Sequence, residues 1–249
     1  MTHEALILGK YQASYFKCTT CEYWFISNPH WLPEAYTRAI STLDTGILER
    51  NVRISRTLVN LLPQLAPKGN YVDWAGGLGI LTRLMRDKGF NYYWQDQYAT
   101  NELSAGFEWN NQLSIQLVSA FEVMEHIEDP LGFIRDVMSQ TNADIFIFSQ
   151  ELHNGLTDKT WFYFVPETGQ HISFYSKKTL EALAVKLELY LMSFDGIFIL
   201  SKKRIRIPIR LQSISMLSKF INRADRQINR GESLTQRDKQ FLLSNISIN

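Results

Sequence analysis

Three sets of residues in this chain of 249 combine types and spacing that can carry chemistry. The stretch DWAGGLG, residues 73–79, sets a carboxylate ahead of a run of small residues, the composition of a loop whose backbone approaches a ligand closely. The stretch EVMEH, residues 122–126, and the later GQH, residues 169–171, supply Glu125, His126 and His171, and an imidazole suits proton transfer near neutral pH. Cys18 and Cys21 form C-x-x-C, half of a tetrahedral metal site that needs four ligands.

The first set is read by exclusion. A P-loop needs G-x-x-x-x-G-K-[ST], which is absent, so nucleoside triphosphate chemistry is set aside. A nicotinamide fingerprint begun at Gly77 and Gly79 puts its third glycine at Thr82, where close helix packing disfavours a branched side chain. The form [DE]-x-G-x-G-x-G, which suits S-adenosylmethionine, matches at Asp73, Gly77 and Gly79, with Ala75 in place of the first glycine and Gly76 within the loop. That ligand carries no phosphate, so the glycines serve close approach to its ribose and methionine portions, and Asp73 can accept from its ammonium group. Alanine fits at position 75 if its φ is negative, because the left-handed region penalises a Cβ. Asp96 follows Asp73 by 23 residues and ends YYWQD, near the ~20-residue offset at which an acid meets ribose hydroxyls.

The elements that must position these residues follow from periodicity. YQASYFKCTTCEYWF, residues 11–25, reads as a hairpin with the cysteines at its turn. Residues 33–43 and 45–62 have helical spacing, closed by Pro63 and Pro67. Beyond them short apolar runs alternate with helices: NYVDWA, FNYYWQD, SIQLVSAFE and ADIFIFSQ as strands, GILTRLMRDKG, DPLGFIRDVMSQ and SKKTLEALAVKL as helices, the last capped by Ser176. YLMSFDGIFILSKK closes the pattern as a strand pair. Alternation of this kind predicts an α/β fold with a doubly wound, mostly parallel sheet and helices on both faces. Ligands of such folds bind beyond the carboxyl ends of the strands, where the glycine loop falls.

SAFEVMEHIEDP, residues 119–130, resembles the fourth motif of class I S-adenosylmethionine-dependent methyltransferases, particularly a bacterial group associated with polysaccharide and nucleotide-sugar pathways. DWAGGLGILTRLMRDKGF, YYWQDQYATNELSAGFE and WFYFVPETGQHISFYSKKTLEALA are similar to the same group, so the likeness covers roughly residues 71–190. YFKCTTCEYWF is similar to the cysteine knuckle that precedes this domain. The resemblance implies a Rossmann-like domain over residues 36–201 and a knuckle over 1–35, and the charge of residues 202–249 sets them apart as a basic extension. It implies methyl transfer to a small acceptor, a hydroxyl of a sugar or sugar-derived metabolite. The chain departs from the pattern at Ala75 and after Asp96, where only about 20 residues separate it from the next strand and the third strand is short or missing. Phe107 and Trp109 are then candidates for an aromatic wall against adenine.

Cofactor contacts are expected from Asp73, Ala75, Gly76, Gly77, Gly79, Asp96, Phe121 and Glu122. The base for an oxygen acceptor is expected to be His171 or His126, not both, with Glu125 beside it. A structural reading competes: His126 bonding backbone groups at the strand-to-helix transition, with Glu125 solvated or capping the helix. Trp161 to Phe164 form either core or a lid over the acceptor. Cys18 and Cys21 lack evident partners in His3 or His30; two reduced thiols are the first expectation and structural zinc the second.

Composition bounds the rest. At 45% hydrophobic the chain can bury a sizeable core, and no run approaches the ~18 apolar residues of a membrane span, so a soluble cytoplasmic protein is expected. The net charge of +1 hides an asymmetry: residues 202–249 hold 11 Lys and Arg against 3 Asp and Glu. Ile214, Leu217, Ile221, Ala224 and Ile228 recur at helical spacing in this tail, which is expected to pack on the acidic domain or to dock a protein partner or anionic membrane surface. Nucleic-acid binding is the weakest option, since aromatics are few and no recognised motif is present. If the glycine loop has lost its ligand, the alternative is an inactive, methyltransferase-like adaptor working through the tail.

Overall fold

A computed structural model describes residues 2–37, 44, 46–154, 161 and 163–206. The amphipathic tail helix, Phe162 and the second half of the helix expected over 33–43 lie outside the described residues.

The architecture is the α/β, Rossmann-like one. Its main sheet contains β4 (Asn70–Trp74), β5 (Asn91–Gln95), β6 (Leu117–Ala120), β7 (Ile145–Ser149), β9 (Tyr190–Phe194) and β10 (Ile197–Ser201), in the order β5-β4-β6-β7-β10-β9. The first four run parallel, while β10 is antiparallel to both β7 and β9. β6 is buried along its whole length and β7 at four of five positions, as strands covered on both faces must be. One cover is α2 (Ile47–Leu65) with α3 (Ile80–Asp87), which place Leu58, Leu61, Leu62, Leu81 and Met85 against the sheet. The other is α4 (Pro130–Thr141) with α5 (Lys177–Leu187), through Ile134, Val137, Leu180 and Leu183.

Local signals set most helix ends. Asp129 caps α4 by accepting from the Gly132 N–H, and Ser176 caps α5 in a reciprocal capping box with Thr179. Pro63 does not end α2, which continues to Leu65: so near the carboxyl end its missing N–H forfeits one bond, while buried Leu61 and Leu62 keep the turn packed. The helix expected from residue 33 is a single turn, α1 (Leu32–Ala35), as far as it is described. The third strand is reduced to a bridge between Trp94 and Glu108.

A second, antiparallel sheet has the order β1 (Thr2–Ile7), β2 (Tyr11–Lys17), β3 (Trp24–Ile26) and β8 (Ser173–Phe174). The cysteine hairpin is β2–β3, preceded by a strand that the sequence reading did not separate. Because β8 comes from the loop after β7, this sheet and that loop share a core of Ile7, Tyr15, Trp24, Trp31, Phe164 and Phe174.

Candidate active site

A cleft of about 1570 Å³ opens at the carboxyl ends of the parallel strands and is lined by Asp73–Leu78, Asp96, Phe121, Glu122, Glu125, His126 and His171. The glycine loop and the histidine-carboxylate cluster thus face one space. Its lining counts seven carboxylates and two arginines, a balance that favours a cationic ligand.

The loop connects β4 to α3 and turns through left-handed backbone at Ala75 (φ 57°), Gly77 (54°) and Gly79 (82°). The condition for alanine therefore fails: Ala75 occupies the region that penalises a Cβ, and the position wants glycine for the reason the motif does. Its methyl is exposed, so the conformation is strained without being crowded. At Gly76 the constraint is space, since a Cβ would lie 2.9 Å from both Asp73 Oδ2 and Trp94. At Gly79 a Cβ would lie 2.5 Å from Asn101 Oδ1. Ser104 donates to the Gly79 carbonyl at 2.9 Å, and the Trp94 indole donates to the Gly77 carbonyl at 2.8 Å. Asn101, Ser104 and Trp94 are loop supports that the sequence reading missed, because of the segment YYWQDQYATNELSAGFE it singled out only Asp96 and Phe107.

Asp73 is 4% exposed and accepts from the Ser119 hydroxyl at 3.0 Å. Burial raises its pKa to about 7, opposed by the Ser119 bond and assisted by the charge of Asp96. Asp96 is already engaged: Oδ2 accepts from the Gly77 N–H at 2.9 Å, and Oδ1 from the Tyr98 and Ala99 N–H groups at 2.7 and 2.9 Å. It shapes the loop as well as facing the cleft. Phe107 and Trp109 do not wall the cleft, a correction to the expectation. Phe107 lies beneath the Arg86 guanidinium at 3.6 Å and Trp109 packs on Trp74, because the shortened third strand turns both toward the core. Exposed Tyr98 and partly buried Tyr36, stacked at 5.8 Å, form an aromatic pair on the cleft instead.

The second cluster is built on a single turn, Met124–His126, after β6. Glu122 has φ 56° and is held by Ser149, whose hydroxyl accepts from the Glu122 N–H at 2.9 Å and donates to Oε1 at 2.6 Å. Arg50 approaches Glu122 at 3.4 Å and forms a two-pronged pair with Asp44 at 2.6 and 3.0 Å. Glu125 neither caps the helix nor meets solvent: it is 1% exposed, and its Oε2 has no hydrogen-bond partner among the described residues. The cap falls to Asp129.

His126 and His171 come together, their ring centroids 5.0 Å apart. Each anchors Nδ1 on a backbone carbonyl, His126 on Gln170 at 3.0 Å and His171 on Tyr163 at 2.7 Å. A carbonyl only accepts, so the proton sits on Nδ1 and Nε2 carries the lone pair. Burial, with the nearby His126, pushes the His171 pKa down to about 3 and keeps the ring neutral. The loop carrying His171 is pinned by Ile172 N–H to the Glu125 carbonyl (2.9 Å) and by the Tyr15 hydroxyl to the His171 carbonyl (2.8 Å). The amino-terminal sheet therefore positions a residue of the cleft. Of the aromatic run, Tyr163 and Phe164 are core, and Tyr163 also lines the cleft.

Among the described residues, Cys18 and Cys21 meet no third metal-ligating side chain, and the one group of three or more that could hold an ion is Glu125, His126 and His171. Both thiols are free. The zinc expectation at the knuckle has no completed ligand set behind it.

No curated protein matches the chain. Solved structures that are similar include the magnesium protoporphyrin IX methyltransferase of Synechocystis PCC 6803 with bound SAH, 13% identical over 71% of this chain and 96% of that one, with a TM-score of 0.47. TnmH is 12% identical over 70% and 61% of the two chains, TM-score 0.49. A possible histamine N-methyltransferase of Thermotoga maritima is 11% identical over 71% and 98%, TM-score 0.40. Likeness of this degree says nothing about the acceptor. The model of a methyltransferase-domain family, in contrast, matches residues 48–193, more than half of the chain and the whole stretch from α2 through the glycine loop and the histidine pair to β9. The chain belongs to the methyltransferase-domain family, of the S-adenosylmethionine-dependent class.

Proposed function

We propose that this protein transfers the methyl group of S-adenosylmethionine to a hydroxyl of a small acceptor, a sugar or sugar-derived metabolite. One observation carries the reading: a tight-turning glycine loop with a buried carboxylate shares a strongly acidic cleft with a pair of histidines anchored through Nδ1. The residues fit the cofactor. Gly76, Gly77 and Gly79 leave backbone bare where a side chain would collide or strain, and ionised Asp73 answers an ammonium group. Asp96 Oδ2, with one backbone bond made, retains capacity for a ribose hydroxyl. Ala75, Phe121 and Glu122 complete the lining.

When bound, the cofactor supplies a sulfonium-activated methyl carbon; transfer breaks its C–S bond, leaves that electron pair on sulfur, and forms a C–O bond as the acceptor hydroxyl loses its proton. The protein's part is to orient the acceptor oxygen in line and help the proton leave. That second task falls to Glu125, His126 and His171. His171, with its pKa near 3, holds a proton poorly, so the pair acts through its Nε2 lone pairs rather than through an imidazolium at position 171. Stacked Tyr36 and Tyr98 offer the flat apolar surface on which a sugar ring rests.

Calorimetric titration of S-adenosylmethionine and its demethylated product, beside NAD, tests the cofactor. Micromolar binding, with NAD inert, is expected, weakened in Asp96→Asn and abolished in Asp96→Ala. Binding of NAD alone would overturn it. A mass-spectrometric product screen tests the acceptor, and transfer to nitrogen or carbon alone would refute the hydroxyl assignment. Folded protein that binds neither cofactor form would favour the adaptor reading, with the basic tail as docking element.

A further inference from the structure

The cluster of Glu125, His126 and His171 has features that a proton-transfer role does not need. Glu125 is buried from solvent with the Tyr163 hydroxyl against its carboxylate, and its Oε2 makes no hydrogen bond of good geometry among the described residues, an arrangement that natural structures keep rare. The nearby cation does not meet it, because Arg50 is committed to Asp44 and Glu122. Both histidines donate Nδ1–H to a carbonyl, which fixes the tautomer and leaves a lone pair on each Nε2. Anchoring of this kind is the usual outer support of a metal-ligating histidine.

The ligand atoms of the three side chains all lie within 4.8 Å of one another, and His126 Nε2 stands 3.8 Å from Glu125 Oε1. Metal–ligand bonds of about 2.1 Å separate neighbouring ligand atoms by about 3.0–3.4 Å and opposite ones by about 4.2 Å. The His126–Glu125 pair is thus about 0.4–0.8 Å, and the widest pair up to about 1.4–1.8 Å, beyond neighbouring positions of a closed shell, so an ion would draw the three side chains together by rotation. It is not an acidic surface patch, since two of three donors are nitrogen and the carboxylate is buried.

We propose that Glu125, His126 and His171, the latter two through Nε2, hold a divalent transition-metal cation on the wall of the cleft. Two imidazoles and one carboxylate select the Mn²⁺-to-Zn²⁺ series over Mg²⁺ or Ca²⁺, which prefer all-oxygen shells. Three protein ligands leave positions open toward the cleft, the pattern of catalytic metal sites. The proposal rests on the methyl-transfer reading for its purpose and deepens it: such a cation would make the acceptor hydroxyl more acidic, so its proton passes to solvent water as the oxygen attacks the methyl carbon. An acceptor with two adjacent oxygens, such as a vicinal diol, fits two open positions.

The test uses the full chain, stripped of metal with a chelator and checked for folding by its thermal melt. Mn²⁺ is titrated with electron paramagnetic resonance as readout and Zn²⁺ by calorimetry, with Mg²⁺ alongside, and S-adenosylmethionine is titrated into the same samples. One tightly bound ion per chain is expected, Mg²⁺ at least about tenfold weaker. Both His126→Asn and His171→Gln should weaken Mn²⁺ at least about tenfold while cofactor affinity stays within about threefold. These half-buried histidines are safer to replace than Glu125, and Glu125→Gln is a third variant if it folds. Protein that binds cofactor but no ion, or histidine variants that hold Mn²⁺ as tightly as the parent, would overturn the proposal. Ion binding lost in the variants, in a chain that binds no S-adenosylmethionine, would uphold the cation site and overturn the methyl-transfer reading.

Discussion

Replacing Ala75 by glycine should stabilise the protein, although it removes atoms. Ala75 has φ 57°, and left-handed backbone costs a residue with a Cβ about 1–2 kcal/mol. Glycine restores a permitted conformation but loses more freedom on folding, a counter-term of about 0.5–1 kcal/mol. The methyl is exposed, so its removal opens no cavity and forfeits little burial. The balance is a gain of about 0.5–1 kcal/mol, which in a protein of this size raises the melting temperature by about 1–4 °C. Differential scanning calorimetry of the ligand-free parent and Ala75→Gly measures it directly, and cofactor affinity should hold or tighten because the loop keeps its shape. A lower melting temperature, or none of the rise, would refute the reasoning, since it would mean that position 75 does not adopt left-handed backbone in solution.

Gly79→Ala should move the other way by roughly 2 kcal/mol or more, read by chemical denaturation, because its φ of 82° is compounded by a Cβ placed 2.5 Å from Asn101 Oδ1. Burial lifts the Asp73 pKa to about 7, so between the ordinary carboxylate pKa of ~4 and 7 the folded, ligand-free protein keeps a proton that the unfolded chain has released. Its stability relative to Asp73→Asn should therefore fall as pH rises from about 4 to 7, followed by thermal melts at stepped pH. S-Adenosylmethionine should bind with uptake of the ionised form of Asp73, tightening up to about tenfold between pH 6 and 8, a dependence that calorimetry should find absent in Asp73→Asn. Tyr15→Phe removes the hydroxyl that holds the His171 carbonyl and should cost about 1 kcal/mol of stability. It should also weaken acceptor turnover more than cofactor binding; an unchanged acceptor KM and kcat would detach the amino-terminal sheet from the site.

The α/β alternation was legible in the chain because buried parallel strands must be short apolar runs and the helices covering them must keep a 3.6-residue period. For the same reason the glycine loop, the cap at Ser176 and the acids Asp73 and Asp96 could be named: each acts through local geometry that neighbouring residues dictate. The extent of α2 beyond Pro63 was not, because buried leucines rather than propensity decide where that helix stops. Nor was the placing of Phe107 and Trp109, which depends on how far the missing third strand lets the chain turn inward.

Sequence by itself thus determined the fold class, the family and the loop. Only the tertiary structure decided that Ala75 bears a strained φ, that Glu125 is buried with an oxygen that makes no hydrogen bond among the described residues, and that His126 and His171, 45 residues apart, stand side by side on the same cleft. The reason is physical: spacing along a chain governs what residues do within one helix turn or strand. What a loop from one sheet presents to a turn in another depends on hydrogen bonds, such as Tyr15 to His171 and Ile172 to Glu125, that span the whole fold.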